Sequence, residues 1–180
     1  MPRCSWFSVQ ALAPAAAEIR IRGIIGDWGL TDANLIAEIE MLGDIQEITL
    51  RINSRGGGLA QALGIFNYLR THPARIVAYI EGVAMSAATI PMMAADRIVM
   101  PSNTLLMIHN PFYTEDDLPY LSEAAREGLI AHRDALIETY AARTNLGREE
   151  LGALGRQQRS GQDLAGRQRR KRHRTTGQPG

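Results

Sequence analysis

The stretch Glu47-Ile48-Thr49-Leu50-Arg51-Ile52-Asn53-Ser54-Arg55-Gly56-Gly57-Gly58 sets the architecture of this 180-residue chain. Its first six residues alternate polar and apolar, the period of a strand with one buried face. Three glycines end the strand, and residues 59–71 read as a helix. Ile76-Val77-Ala78-Tyr79-Ile80 is then a short, nearly continuous apolar run, closed by Gly82, and reads as a buried strand. Strand, helix and strand at this spacing make a βαβ unit, which implies an α/β fold with a mostly parallel sheet.

The same alternation continues outward. Upstream, Glu18-Ile19-Arg20-Ile21-Arg22-Gly23-Ile24 is a half-buried strand, and Thr31 or Asp32 can cap a helix running to Met41. Leu35, Ile36, Ile39 and Leu42 share one face of that helix. Downstream, residues 87–95 read as a buried helix that Pro91 should bend, because proline lacks the N–H that an interior helical position donates. Residues 97–100 and 105–108 are two further strands. One long amphipathic helix is expected from Asp116 or Leu118 to Arg143, with Leu121, Ala125, Leu129, Leu136 and Tyr140 on its apolar stripe. A short helix should begin near Glu149.

Composition bounds the possibilities. With 45% hydrophobic and 22% charged residues the chain resembles an ordinary globular protein, and its length suits a single core. No run approaches the ~20 apolar residues of a membrane span. Residues 6–17 are mildly apolar after Arg3, but Gln10 and Pro14 interrupt them, which argues against a signal peptide. A lone cysteine, Cys4, excludes an internal disulfide and fits a cytoplasmic location. The net charge of +1 conceals two unlike pieces: residues 1–154 carry 12 arginines, no lysine and 18 carboxylates, whereas residues 155–180 carry seven arginines and Lys171 against Asp163 alone. Leu164 is the only aliphatic side chain larger than alanine in that second piece, so it is expected to be disordered. The expected division is therefore an N-terminal segment at 1–17, a folded domain at 18–154 and a basic tail at 155–180.

Three sites carry chemistry. In Gly82-Val83-Ala84-Met85-Ser86-Ala87-Ala88 a small-residue turn presents a serine where an apolar strand meets a helix. Ser86 there is either a nucleophile, with the Ala87 N–H placed to receive an oxyanion, or simply a helix N-cap. His109, in Met107-Ile108-His109-Asn110-Pro111, lies at the end of a later strand, 23 positions after Ser86. It is either a base brought back beside the serine by a right-handed crossover or a core histidine satisfied by backbone. His72, His132 and His173 are less suitably placed. Gly56-Gly57-Gly58 offers a phosphate cradle, half of an oxyanion hole beside a peptide-pairing strip, or a plain glycine turn. The lysine of a phosphate-binding loop is missing, and no lysine precedes position 171, which excludes a serine–lysine dyad and leaves histidine as the base. No cofactor or metal is expected.

Asn53-Ser54-Arg55-Gly56-Gly57, Gly82-Val83-Ala84-Met85-Ser86-Ala87 and Met107-Ile108-His109-Asn110-Pro111, in this order and spacing, together resemble the Clp protease proteolytic subunit, and within that family its phage prohead or head-maturation branch. The likeness spans about residues 6–154 and includes Gly26-Asp27-Trp28-Gly29 and Tyr140-Ala141-Ala142-Arg143-Thr144. It implies a ClpP/crotonase-like fold of stacked βαβ units, with the helix at 118–143 as a protruding handle. It also implies Ser86 as nucleophile, His109 as base, and the Gly56 and Ala87 amides as oxyanion hole, with Gly57 in the substrate strand. A homo-oligomeric ring, polypeptide substrates, and a Clp-type ATPase or phage capsid and scaffold proteins as partners are further implications.

Arg55 stands where the family usually has proline, and Met85 where it often has alanine. The resemblance also leads one to expect a triad carboxylate beyond Leu154. Gly155-Arg156-Gln157-Gln158-Arg159-Ser160 holds none there, and Asp163 comes several residues late. An out-of-frame reading would produce such a switch in composition, which is the expectation here; a nucleic-acid-binding basic tail or a divergent terminus are the alternatives. The functional expectation is accordingly a Clp-type serine endopeptidase impaired by loss of the carboxylate, with an inactive ring scaffold as the alternative. A crotonase-like acyl-CoA enzyme would need catalytic glutamates and gives Ser86 and His109 no common task.

Overall fold

The computed structural model describes residues 6–26, 29–111 and 122–157. Its centre is a parallel sheet of β2 (Ala16–Ile21), β4 (Glu47–Ser54), β6 (Arg75–Met85) and β7 (Arg97–Val99), with β8 (Leu105–Met107) also paired to β6. β1 (Phe7–Ala13) adds antiparallel to β2 at one edge, turning through Ala15 in the left-handed region at φ 63°. A second, two-stranded parallel sheet joins β3 (Ile24–Ile25) to β5 (Gly56–Gly57). The helices are α1 (Asp32–Glu40), α2 (Leu59–Thr71), α3 (Glu123–Ala141) and α4 (Arg148–Gln157).

The sequence alternation becomes the core directly. Ala17, Ile19 and Ile21 of β2, Ile48, Leu50 and Ile52 of β4, and Ile76, Ala78 and Ile80 of β6 are all buried on one sheet face. Against them pack Leu35 and Ile39 of α1 and Ala62, Ile65 and Leu69 of α2. Each large aliphatic side chain so buried contributes ~1.5–3 kcal/mol. Thr31 caps α1 as expected, its Oγ1 accepting the Asn34 N–H at 3.2 Å.

Several boundaries differ from expectation, each for an identifiable reason. The division at residue 17 is not a structural one: β2 begins at Ala16 and β1 pairs along its length. Phe7 and Val9 pack on the core from an edge strand too exposed to show a clear alternation. Gly82 does not close β6, which runs on to Met85. The register between β4 and β6 slips between Ile52↔Ile80 and Ser54↔Ala84, and Asn53 fills the irregularity by accepting the Val83 N–H at 3.2 Å. The expected helix at 87–95 is instead two 3₁₀ turns, Ser86–Thr89 and Pro91–Ala94, joined at Ile90. Pro91 would clash with the Ala87 carbonyl of a continuous α-helix, so the chain tightens on either side.

α3 is capped by Ser122, whose Oγ accepts the Ala125 N–H, and the expected start of this helix, including Leu121, lies outside the described residues. Only its C-terminal half is buried, through Leu136, Thr139 and Tyr140; Ile130 in the other half is exposed. α4 extends past the expected limit at 154, and residues 158–180, with Asp163, lie outside the described residues, as do Asp27 and Trp28. Among the described residues no helix is long and apolar enough to cross a membrane.

Candidate active site

β6 is the strand on which the site is built. Its middle, Val77 to Tyr79, pairs with β7, and its end, Val83 to Met85, pairs with β8 in parallel register. Met85 lies opposite Met107. Ser86 follows Met85 by one residue and His109 follows Met107 by two, so both leave the carboxyl ends of adjacent strands, which lie ~4.8 Å apart. In open parallel sheets this end is where ligands are taken up.

Ser86 occupies the left-handed region at φ 52°. For a residue with a Cβ this costs ~1–3 kcal/mol and requires support from its surroundings. That support is visible. The Ser86 carbonyl accepts a hydrogen bond from Thr89 Oγ1 at 2.6 Å, and Thr89 Oγ1 is 2.5 Å from the hydroxyl of Tyr140 on α3. Ser86 is not a helix N-cap: Met85 holds that position, and no side chain caps the turn. The sharp turn leaves Ser86 half-buried at the start of the 3₁₀ turn, while Ala87 behind it is buried.

The glycines meet this turn from β5. A Cβ on Gly56 would lie 2.6 Å from the Met85 carbonyl oxygen, 2.8 Å from Ser86 Cβ and 2.9 Å from the Ala87 nitrogen. Gly56 also has φ 100° and Gly57 φ 142°, conformations that glycine alone adopts readily. The Gly56 N–H donates to the buried Ser54 Oγ at 3.1 Å, and that hydroxyl donates to the Gly23 carbonyl at 2.5 Å. The Gly58 N–H donates to the Ile25 carbonyl at 2.6 Å, which holds β5 against β3.

His109 is half-buried, and its Nδ1 lies 2.7 Å from the Asn110 carbonyl oxygen. A carbonyl only accepts, so this contact is a hydrogen bond when Nδ1 carries the proton; in the neutral ring Nε2 is then the basic nitrogen. His72 is elsewhere, at the end of α2. Its Nδ1 accepts the Ala74 N–H at 3.1 Å, and burial pushes its pKa down. His132 is exposed on α3, and His173 lies outside the described residues.

The structure thus brings Ser86, Ala87, Gly56, Gly57 and His109 into one neighbourhood. Sequence reasoning missed Thr89 and Tyr140. Burial pushes the Tyr140 pKa up to about 12, so the phenol stays protonated at neutral pH. Only the unusual placement of a threonine in a run of small apolar residues hinted at Thr89.

The family model described as Clp protease matches residues 20–158. The chain is similar to an ATP-dependent Clp protease proteolytic subunit of Deinococcus radiodurans, with 29% identity over 109 residues. That match covers 59% of this chain and 53% of the relative, so the chain spans about half the length of the curated relative it matches. The family model covers most of the chain, from β2 through α4, and includes every residue of the site: the chain belongs to the Clp protease family.

Proposed function

We propose that this chain is a serine endopeptidase acting through an acyl-enzyme on Ser86. The observation that carries the reading is the parallel pairing of Met85 with Met107, which delivers Ser86 and His109 to one end of the sheet. Ser86 Oγ bonds to the carbonyl carbon of the scissile peptide while its proton passes to His109 Nε2. The displaced electron pair rests on the carbonyl oxygen, where main-chain amides receive it. Collapse breaks the C–N bond, and His109 returns the proton to the departing amine. Water then attacks the ester with His109 again as base, releasing the acid and restoring Ser86.

Ala87 N–H supplies one oxyanion donor. For the second, Gly57 is better suited than Gly56, whose N–H is engaged by Ser54 Oγ. Among the described strands β5 pairs only with β3, which leaves its other edge without a strand partner. That edge can pair with an extended polypeptide substrate, as in strand addition.

Asn110 supplies part of what the triad carboxylate would. Its carbonyl holds Nδ1–H and fixes the productive tautomer, although it carries no charge to stabilise the imidazolium. The loss of ~10⁴ in rate that follows carboxylate removal in a related triad reflects the wrong tautomer, so a smaller loss is expected here. The exposed N-terminal half of α3 supports self-assembly into a ring. Action in the cytoplasm with a Clp-type ATPase, or on phage capsid and scaffold proteins, extends the same reading by resemblance.

The composition of Gly155 to Ser160 favours a second reading, an inactive ring subunit. A fluorophosphonate probe separates the two. Labelling of the parent that disappears in Ser86→Ala supports the peptidase; a folded, assembled parent that resists labelling supports the scaffold.

A further inference from the structure

The turn that carries Ser86 is tied to α3 by a chain of buried hydroxyls that the peptidase mechanism itself does not use. Thr89 Oγ1 has a single proton, and the Ser86 carbonyl 2.6 Å away can only accept. The proton on Thr89 is therefore directed at Ser86, and at the 2.5 Å contact between Thr89 and Tyr140 the phenol must be the donor. Thr89 is fully buried and Tyr140 nearly so, which removes competing water. The burial that raises the Tyr140 pKa keeps the donor protonated at neutral pH. Two residues past the end of α3, Arg143 Nη2 donates to the Ala95 carbonyl, so the last turn of α3 and the residues after it hold the segment at Thr89 and at Ala95.

We propose that Tyr140 and Thr89 are positioning residues: they hold the Ser86 carbonyl, and with it the left-handed backbone of the nucleophile and the direction of the Ala87 N–H. This rests on the peptidase reading for its consequence in rate but not for its consequence in local order.

The test compares the full chain with Thr89→Val, Thr89→Ser and Tyr140→Phe. Second-order labelling of Ser86 by a fluorophosphonate is measured beside hydrogen–deuterium exchange of the peptide covering residues 84–95. Thr89→Val keeps the shape and removes the hydroxyl; it should label roughly tenfold more slowly. Tyr140→Phe should slow labelling roughly threefold, since Thr89 still reaches Ser86 but loses its orienting donor. Thr89→Ser restores the hydroxyl and should restore the rate. In Thr89→Val and Tyr140→Phe, residues 84–95 should exchange faster while peptides from β2 and β4 keep their parental protection. Parental labelling and exchange in Thr89→Val overturn the proposal, as does a Thr89→Ser variant as slow as Thr89→Val. If Tyr140→Phe does not fold, the Thr89→Val and Thr89→Ser pair decides. A parent that resists the probe while the variants still loosen 84–95 defeats the peptidase reading and leaves the relay standing; a parent that resists it and variants that exchange unchanged defeat both.

Discussion

Gly56 lies against Ala87 so closely that a methyl group on Gly56 would sit 2.9 Å from the Ala87 nitrogen. The glycine strip and the serine turn therefore form one surface, separated by a gap no side chain fits. Gly56→Ala must open that gap and also strain a backbone at φ 100°. The expected result is a folded but weakened protein, destabilised by ~1–3 kcal/mol, whose Ser86 no longer labels with a fluorophosphonate. Thermal unfolding and labelling together check this.

Ser86 itself stores strain, which makes opposite predictions for stability and activity. Ser86→Gly relieves a non-glycine residue at φ 52° and should stabilise the fold by up to ~1 kcal/mol, while removing the nucleophile. Ser86→Ala keeps the strain and should leave the melting temperature within a degree or two of the parent, on the order of a surface substitution. Denaturant titration of the two variants resolves the difference.

His109 and Asn110 should respond differently to alanine, because one acts by its side chain and the other by its backbone. His109→Ala removes the base and should cost roughly 10²–10⁴ in the labelling rate. Asn110→Ala leaves the carbonyl that accepts from Nδ1, so its rate should stay within about threefold of the parent. A large loss in Asn110→Ala would show that the asparagine side chain, rather than its carbonyl, does the orienting.

Glu18 gives a pH signature independent of the active site. It is buried on the sheet face opposite the main core, accepting from Arg20 Nε at 2.5 Å and Arg51 Nε at 2.6 Å. Burial alone would raise its pKa, but the hydrogen bonds and charges of Arg51 and Arg20 outweigh this and leave it below its usual value of 4.5. A depressed folded-state pKa stabilises the fold fully above the unfolded value and is lost as pH falls through the folded one. Glu18→Gln should therefore lose ~1–3 kcal/mol at pH 7, and its deficit should shrink as pH drops below 4.5. Equal deficits at pH 7 and pH 3 would contradict the ion-pair account.

Much of the fold was legible from one dimension. The alternation through Glu47 to Ile52 and the stripe Leu35, Ile39 on α1 report burial directly, because a side chain's face follows from its position in the strand or helix period. Segments whose partners set their form were less legible. β1 is half-exposed and stands as a strand only because β2 pairs with it. The split at Ile90 depends on how Pro91 is accommodated, which the residue pattern announced as a bend without giving its form.

By itself the sequence determined most of the strand and helix order and the identity of the candidate nucleophile and base. These follow from local sterics and from side-chain chemistry, which travel with the residue. The tertiary structure decided the rest: that Met85 faces Met107, that Ser54 takes the Gly56 amide, and that Tyr140 reaches Thr89 across 51 positions of chain. Such contacts are fixed by sheet register and helix docking, which sum many weak packing terms over the whole domain and leave no mark on any short stretch of sequence.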